Sequence, residues 1–379
     1  MTAARDPLVL GSRTDTDRER FRFHTADGVH AADAFCPGEL LALEHLWDRE
    51  LDRLRTLGAR YGVVGVVLAE RATAVQMTTA SARAAALCER NAAANGVDAT
   101  VELASGLHSV DGPAGGVFDT TVFVPKPYTP LEVGVRRVRT ALDELTSGGR
   151  LFVAAKPETG LARYEDALID AAETVETVAT RDGWRLLAAT RPSTVETPAE
   201  SPFDRIGVAV DGVALELVTA PGLFAAGGID HGTRLLAETA TVADGESVLD
   251  LCSGYAPLGA YAGLVADCEL YCTDDDRLAT ACAERTLAAN RVDGTVVTGD
   301  CAAGVADRTF DTVLCNPPTH AGDGVLSDLF GGAADVLAEN GRCWIVHHRA
   351  LDLDAHFRPF ERVETVATGR EHVVRLARP

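Results

Sequence analysis

Ser247-Val248-Leu249-Asp250-Leu251-Cys252-Ser253-Gly254-Tyr255-Ala256-Pro257-Leu258-Gly259 reads as a buried strand, a tight turn of small residues and the start of a helix. An open α/β sheet holds a nucleotide with this geometry, across the carboxyl ends of its strands. Working outward, a second strand over Cys268 to Thr273 ends in Asp274-Asp275-Asp276, and the alanine-rich stretch Leu278 to Asn290 predicts a helix. Arg291-Val292-Asp293-Gly294 then leads to a third strand, Thr295 to Thr298, closed by Gly299-Asp300. A carboxylate at Asp274 is placed to take both hydroxyls of a ribose, and Asp300 is placed to accept from an adenine amine. Taken singly, each acid is an ordinary turn residue or helix cap.

Further on, Phe310-Asp311-Thr312-Val313-Leu314-Cys315-Asn316-Pro317-Pro318-Thr319-His320 is an apolar strand running into an Asn-Pro-Pro turn. Proline fixes φ and removes backbone donors, so the turn presents acceptors with little freedom to rearrange. One amide and two carbonyls are thereby aimed at a planar amine, whose nitrogen must face an electrophilic methyl. In the order small-residue turn, ribose acid, adenine acid and Asn-Pro-Pro, these features read as one S-adenosylmethionine site of an amino-group methyltransferase. Asp250, Cys252, Ser253, Gly254, Asp274, Asp300 and Asn316 are its expected cofactor-binding residues.

The second half of the chain resembles the two-domain rRNA guanine-N2 methyltransferases, whose catalytic half is a class I "methyltransferase small" domain. Pro221-Gly222-Leu223-Phe224-Ala225-Ala226-Gly227-Gly228-Ile229-Asp230-His231-Gly232-Thr233 carries that resemblance most specifically. It is similar to the family's Pro-Gly-apolar-Phe start and Asp-x-Gly-Thr/Ser helix entry. On local grounds Asp230 to Thr233 is a helix start, placed beside the cofactor. Asn316, Pro317, Pro318, His320 and Gly322 match the family's Asn-Pro-Pro-Phe-His-x-Gly. The resemblance implies catalysis by Asn316, Pro317 and Pro318, cofactor contacts from Asp230 and Thr233, and a substrate beside Thr319 and His320. It further implies ribosomal RNA or the small ribosomal subunit as partner.

Three departures stand out. Cys252 and Ala256 replace two of the family's three cofactor-turn glycines, where unusual φ and close approach to a ligand favour Gly. Thr319 replaces an aromatic expected to stack on the target base, a loss of about 1–3 kcal/mol of base binding. Two alternatives follow: an adenine-N6 or protein-glutamine methyltransferase, or a non-catalytic RNA-binding or ribosome-assembly factor with a decayed cofactor site.

An internal repeat sets the domain plan. Glu89-Arg90-Asn91-Ala92-Ala93-Ala94-Asn95 echoes Glu284-Arg285-Thr286-Leu287-Ala288-Ala289-Asn290, and Phe118-Asp119-Thr120-Thr121-Val122-Phe123 echoes Phe310 to Cys315. In the first copy Val124 stands at the place of Asn316 and Lys126 at that of Pro318. Its cofactor strand is expected at Tyr61 to Leu68, with no acid and no glycine turn after it, and the next strand ends in Thr78-Thr79. The expectation is two tandem doubly wound α/β domains: a degenerate copy over residues 1–190, a linker over 191–206 and a catalytic domain over 207–379.

Composition fits a large two-domain chain of 379 residues, 46% hydrophobic, with no apolar run near twenty residues and no secretory signal pattern. A cytoplasmic protein is expected. The nine cysteines are odd in number and lack metal-ligand spacing, so they read as small buried residues in a reducing cell. Net charge is −21, with only Lys126 and Lys156 as lysines among 35 basic residues. That balance resembles proteins of extreme halophiles, where the screening length falls to about 3 Å and acidic surfaces aid solubility. Arg136, Arg137 and Arg139 on one predicted helix, with Lys126 and Lys156, are the candidate RNA-facing cations.

Overall fold

The computed structural model describes residues 5–12, 18–107, 111, 116–193 and 201–379. The chain divides into two compact units, Ala4–Ser201 and Pro202–Pro379. In the first, a hairpin of β1 (Leu8–Gly11) and β2 (Arg20–Phe23) precedes α1 (Pro37–Leu46), β3 (Asp52–Leu57), α2 (Val63–Leu68), β4 (Ala72–Thr79), α3 (Ala82–Ala94) and β5 (Thr100–Leu103). Then come β6 (Phe118–Phe123), α4 (Leu131–Glu144), β7 (Leu145–Ala155), α5 (Leu161–Ala171), β8 (Thr174–Arg181) and β9 (Trp184–Thr190). The second unit repeats the plan: hairpin β10 (Asp204–Val210) and β11 (Val213–Thr219), α6 (His231–Thr239), β12 (Ser247–Leu251), α7 (Pro257–Val265), β13 (Glu269–Asp274) and α8 (Arg277–Asn290). It closes with β14 (Thr295–Thr298), β15 (Phe310–Cys315), α9 (Asp323–Asp335), β16 (Leu337–His348), β17 (Arg362–Thr368) and β18 (His372–Arg378). Strand β10 opens inside the expected linker, of which residues 194–200 lie outside the described residues.

Each unit holds a seven-stranded sheet, ordered β5-β4-β3-β6-β7-β9-β8 in the first and β14-β13-β12-β15-β16-β18-β17 in the second. Only the penultimate strand of each order runs antiparallel to its neighbours. Strand β12 pairs parallel with β13 on one side and β15 on the other, so the connections leave in opposite directions and open a crevice at its carboxyl end. Leu251 is level with Thr273 and Cys315, which brings the turn after Leu251, Asp274 and Asn316 onto one rim.

Burial on both faces explains the strand sequences. Leu249 and Leu251 of β12 pack with Tyr271, Phe310, Val313 and Ile345 in one apolar cluster, and such doubly covered parallel strands read as near-continuous apolar runs. Helix α8 begins where the Asp276 carboxylate accepts from the backbone N–H of Leu278 at 2.7 Å. Its alanines let the helix lie close to the sheet. The recurring Asn of the repeat fastens each domain to its own hairpin: Asn290 accepts from Glu216 N at 2.9 Å and donates to Glu216 O at 2.7 Å. Asn95 makes the same pair of bonds with Arg22, at 3.0 and 2.7 Å.

The register corrects one expectation. Leu54 pairs with Thr120 as Val248 pairs with Thr312, so β3 is the first copy's counterpart of β12. Tyr61 to Leu68 is therefore not a strand, and Val63–Leu68 is a helix. A run of β-branched residues carries strand propensity, but full burial against neighbours decides its conformation here. The true strand, Asp-Arg-Leu-Arg-Thr-Leu, is obscured by its two arginines. A glycine turn does follow it, since Gly58 and Gly62 both have positive φ, 69° and 87°.

Candidate functional site

The turn after β12 keeps a glycine-like backbone without the glycines. Cys252, Gly254 and Ala256 have φ of 60°, 56° and 59°. An L residue held there costs about 1–2 kcal/mol, so the surrounding structure imposes the conformation. Pro257 at the first turn of α7 and Asp250 behind it supply that constraint. The Asp250 carboxylate accepts from Gly259 N at 2.8 Å, and the two meet so closely that a side chain at Gly259 would strike Cys272 Sγ.

Asp250 is 1% exposed, and its Oδ1 and the buried Ser253 hydroxyl have no hydrogen-bond partner. Burial pushes the Asp250 carboxyl up to about 7. Asp274 accepts from Gly254 N and from Asp276 N, both at 2.9 Å, and burial raises it to about 7 as well. Asp274 is bonded to the turn itself at Gly254, where a Cβ would meet no atom within 4 Å. Unpartnered buried oxygens of this kind call for a donor-rich ligand. Asp300 follows β14, three strands from β15, or roughly 14 Å at the usual strand spacing. The rim thus has the length of a nucleoside extended from Asn316 to Asp300.

At the other end, Asn316 Nδ2 donates to Thr233 Oγ1 at 2.8 Å. The Thr233 hydroxyl in turn donates to Asp230 Oδ2, while Asp230 Oδ1 caps α6 by accepting from Gly232 N at 2.9 Å and Thr233 N at 3.1 Å. Because the Thr233 proton is committed to a carboxylate, its oxygen accepts from Asn316, and the Asn316 amide is fixed with Oδ1 turned away as a free acceptor. Pro317 O accepts from Thr319 N and Pro318 O from Ala321 N, each at 2.9 Å, which leaves each carbonyl one further lone pair. Thr233 is therefore tied to Asn316 directly, and Asp230 through Thr233. His320 is exposed, and Thr319 and Pro318 are half-buried beside it.

Sequence reasoning missed Tyr255. Its hydroxyl reaches the carbonyls of Ala225 at 3.1 Å and Gly228 at 2.8 Å, pinning the Pro221 to Asp230 loop over the turn. Tyr61 does the same to Ala31 and Ala34 at 3.2 and 3.3 Å, so the paired tyrosines were a repeat signal hidden by the misplaced strand.

The first copy's equivalent site is filled by its own side chains. Register places Arg60 at Gly254, Thr56 at Asp250, Thr79 at Asp274, Val124 at Asn316 and Glu39 at Thr233. The Arg60 guanidinium, 1% exposed, pairs with Glu39 at 2.9 Å and donates to Val124 O at 3.2 Å. A cation and its partner occupy the crevice that Gly254 leaves open in the second copy. Of the candidate RNA-facing cations, Arg136 pairs with Glu132 at 3.4 Å, Arg137 donates to Ser105 O at 2.9 Å, and Arg139 is exposed. Lys126 lies over Tyr128 and Lys156 over Trp184.

Comparison with known proteins gives four findings. A family model described as "Methyltransferase small domain" matches residues 20–188 and 214–375. The ribosomal RNA large subunit methyltransferase G of Ectopseudomonas mendocina is 30% identical over 353 residues, covering 90% of this chain and 92% of that one. The ribosomal RNA small subunit methyltransferase C of Actinobacillus succinogenes is 37% identical over 153 residues, 38% of this chain and 46% of that one. Among solved structures, a 16S rRNA N2 methyltransferase of T. thermophilus, in complex with AdoMet and guanosine, has the same fold, with a TM-score of 0.80 at 22% identity over 98% of this chain and 97% of that one.

Proposed function

The chain belongs to the methyltransferase small-domain family of S-adenosylmethionine-dependent enzymes, and from that premise we propose that its second domain methylates the exocyclic N2 of a guanine in ribosomal RNA. The observation that carries this reading is the oriented amide of Asn316, held by Thr233 and Asp230. Full-length similarity to a ribosomal RNA methyltransferase supports the substrate class, and the guanosine complex of the structural neighbour supports the base.

The second domain fits the cofactor. Asp250, Ser253, the turn through Cys252 and Gly254, Asp274 and Asp300 would hold S-adenosylmethionine, which supplies an already activated methyl on a sulfonium. Asn316 Oδ1 and the remaining lone pair of Pro317 O accept the two N–H bonds of the target amine. These two bonds fix the nitrogen's direction and raise its electron density, and the one N–H proton that methylation displaces leaves afterwards to solvent, while Pro318 stiffens the turn. Positioning supplies most of the rate, and no strong base is needed. The first domain has Val124 and the Arg60–Glu39 pair in place of these groups, which supports its reading as a fold without the chemistry over residues 1–190. The same reading gives the catalytic role to residues 207–379, which lie within the second unit. The acidic, lysine-poor composition supports work in molar salt, and the reading takes the protein as cytoplasmic.

Asn316→Ala tests the reading. Transfer of labelled methyl to ribosomal RNA should be lost while cofactor binding by calorimetry is kept. Undiminished turnover would refute the role assigned to the turn.

A further inference from the structure

Thr319 leaves the target base without the ring that the resemblance places beside it, and the loop that enters α6 carries another. The two copies build their entry loops alike. Gly28 and Gly222 have φ of 81° and 95°, and Ala31 and Ala225 have φ of 61° and 51°. Tyr61 after β3 and Tyr255 after β12 each grip the loop of their own copy at matching carbonyls. Counting back from the helix caps, Cys36 and Asp230, His30 occupies the position of Phe224.

In the first copy that position faces the crevice. The His30 ring meets the edge of Tyr128, which stands at the place of His320, with centroids 5.9 Å apart. Burial, with the nearby cations Arg60 and Lys126, holds His30 down to about 4. Arg60 and Lys126 stand at the places of Gly254 and Pro318. A side chain leaving the loop here therefore lies between the cofactor turn and the Asn-Pro-Pro turn. In the second copy the residue is Phe224, 71% exposed, and no ring or cation packs on it among the described residues. A large apolar ring left so exposed at the mouth of a crevice awaits a planar partner.

We propose that Phe224 stacks on the target guanine, supplying the aromatic face missing at Thr319. The partner is the target base and not the cofactor's adenine, because the loop is tied through Asp230 and Thr233 to Asn316, three strands from Asp300. The inference rests on the methyltransferase reading of this site.

The test compares wild type, Phe224→Ala, Phe224→Trp and the double variant Phe224→Ala/Thr319→Phe. Labelled methyl transfer to ribosomal RNA lacking the modification is measured with S-adenosylmethionine binding. Stacking predicts that Phe224→Ala lowers kcat/KM for RNA at least about tenfold with the cofactor Kd unchanged, and that both Phe224→Trp and the double variant recover most of it. Wild-type kinetics in Phe224→Ala would overturn the proposal, as would a weakened cofactor Kd, which would place the ring on the cofactor instead. A wild-type protein that binds S-adenosylmethionine but methylates no RNA would instead refute the substrate reading beneath it.

Discussion

Cofactor affinity should depend on pH in a direction opposite to that of apo stability. Asp250 and Asp274 are both held near 7 by burial, well above the ordinary carboxylate range. In the apo domain the sign follows from linkage: a raised carboxyl favours the folded state below the unfolded value near 4, and that contribution is lost as pH rises through about 7. A ligand that donates to these oxygens binds the ionised form, so its affinity must fall as they take up protons. For one acid titrating near 7, affinity should drop about 25-fold between about pH 7.5 and 5.5, and several hundredfold if both acids bind donors independently. Calorimetric titration of S-adenosylmethionine in about 2–3 M KCl, where the screening length is short, gives the affinity. Repeating it in buffers of different ionisation enthalpy counts the protons released. Equal affinity at both pH values, or proton uptake on binding near pH 6.5, would refute the assignment of these two carboxylates.

Other expectations follow from the same geometry. Thr233→Val frees Asn316 Nδ2 to turn, so kcat should fall at least about tenfold with little change in cofactor Kd, a split that steady-state kinetics resolves. Cys252→Gly and Ala256→Gly relieve left-handed strain at the cost of unfolded-state entropy, and unfolding free energies from denaturant titration should change by less than about 1 kcal/mol each. Arg60→Ala strands a buried Glu39 carboxylate and should destabilise the first domain by about 3–5 kcal/mol, whereas Arg60→Ala with Glu39→Gln should recover part of that in urea unfolding.

The doubly wound fold of the second domain was readable because β12, β13 and β15 are buried on both faces, and because these strands and the edge strand β14 end in residues with one chemical purpose. The first domain had shed that purpose, and its β3 mixes arginines with leucines while α2 looks like a strand, so the repeat was visible only in its helix and in β6. The individual acids and Asn316 stood out as types at strand ends. Their connections did not, because the Asn316–Thr233 bond spans 83 residues and the Tyr255 grip spans 27 to 30. No local pattern encodes contacts of that length. Left-handed φ at Cys252 and Ala256 was likewise hidden, since the residue names argued against it.

The Arg60–Glu39 pair amounts to a ligand that the first domain carries within its own chain. A binding site filled by its own side chains is saturated at every metabolite concentration, and its contribution to folding is fixed. The second domain has no such tenant, and its stability rises with free S-adenosylmethionine as the logarithm of saturation, by about 2.7 kcal/mol at a hundredfold excess over Kd. Duplication has thus produced one half whose folding is indifferent to the methyl-donor pool and one half whose folding reports it.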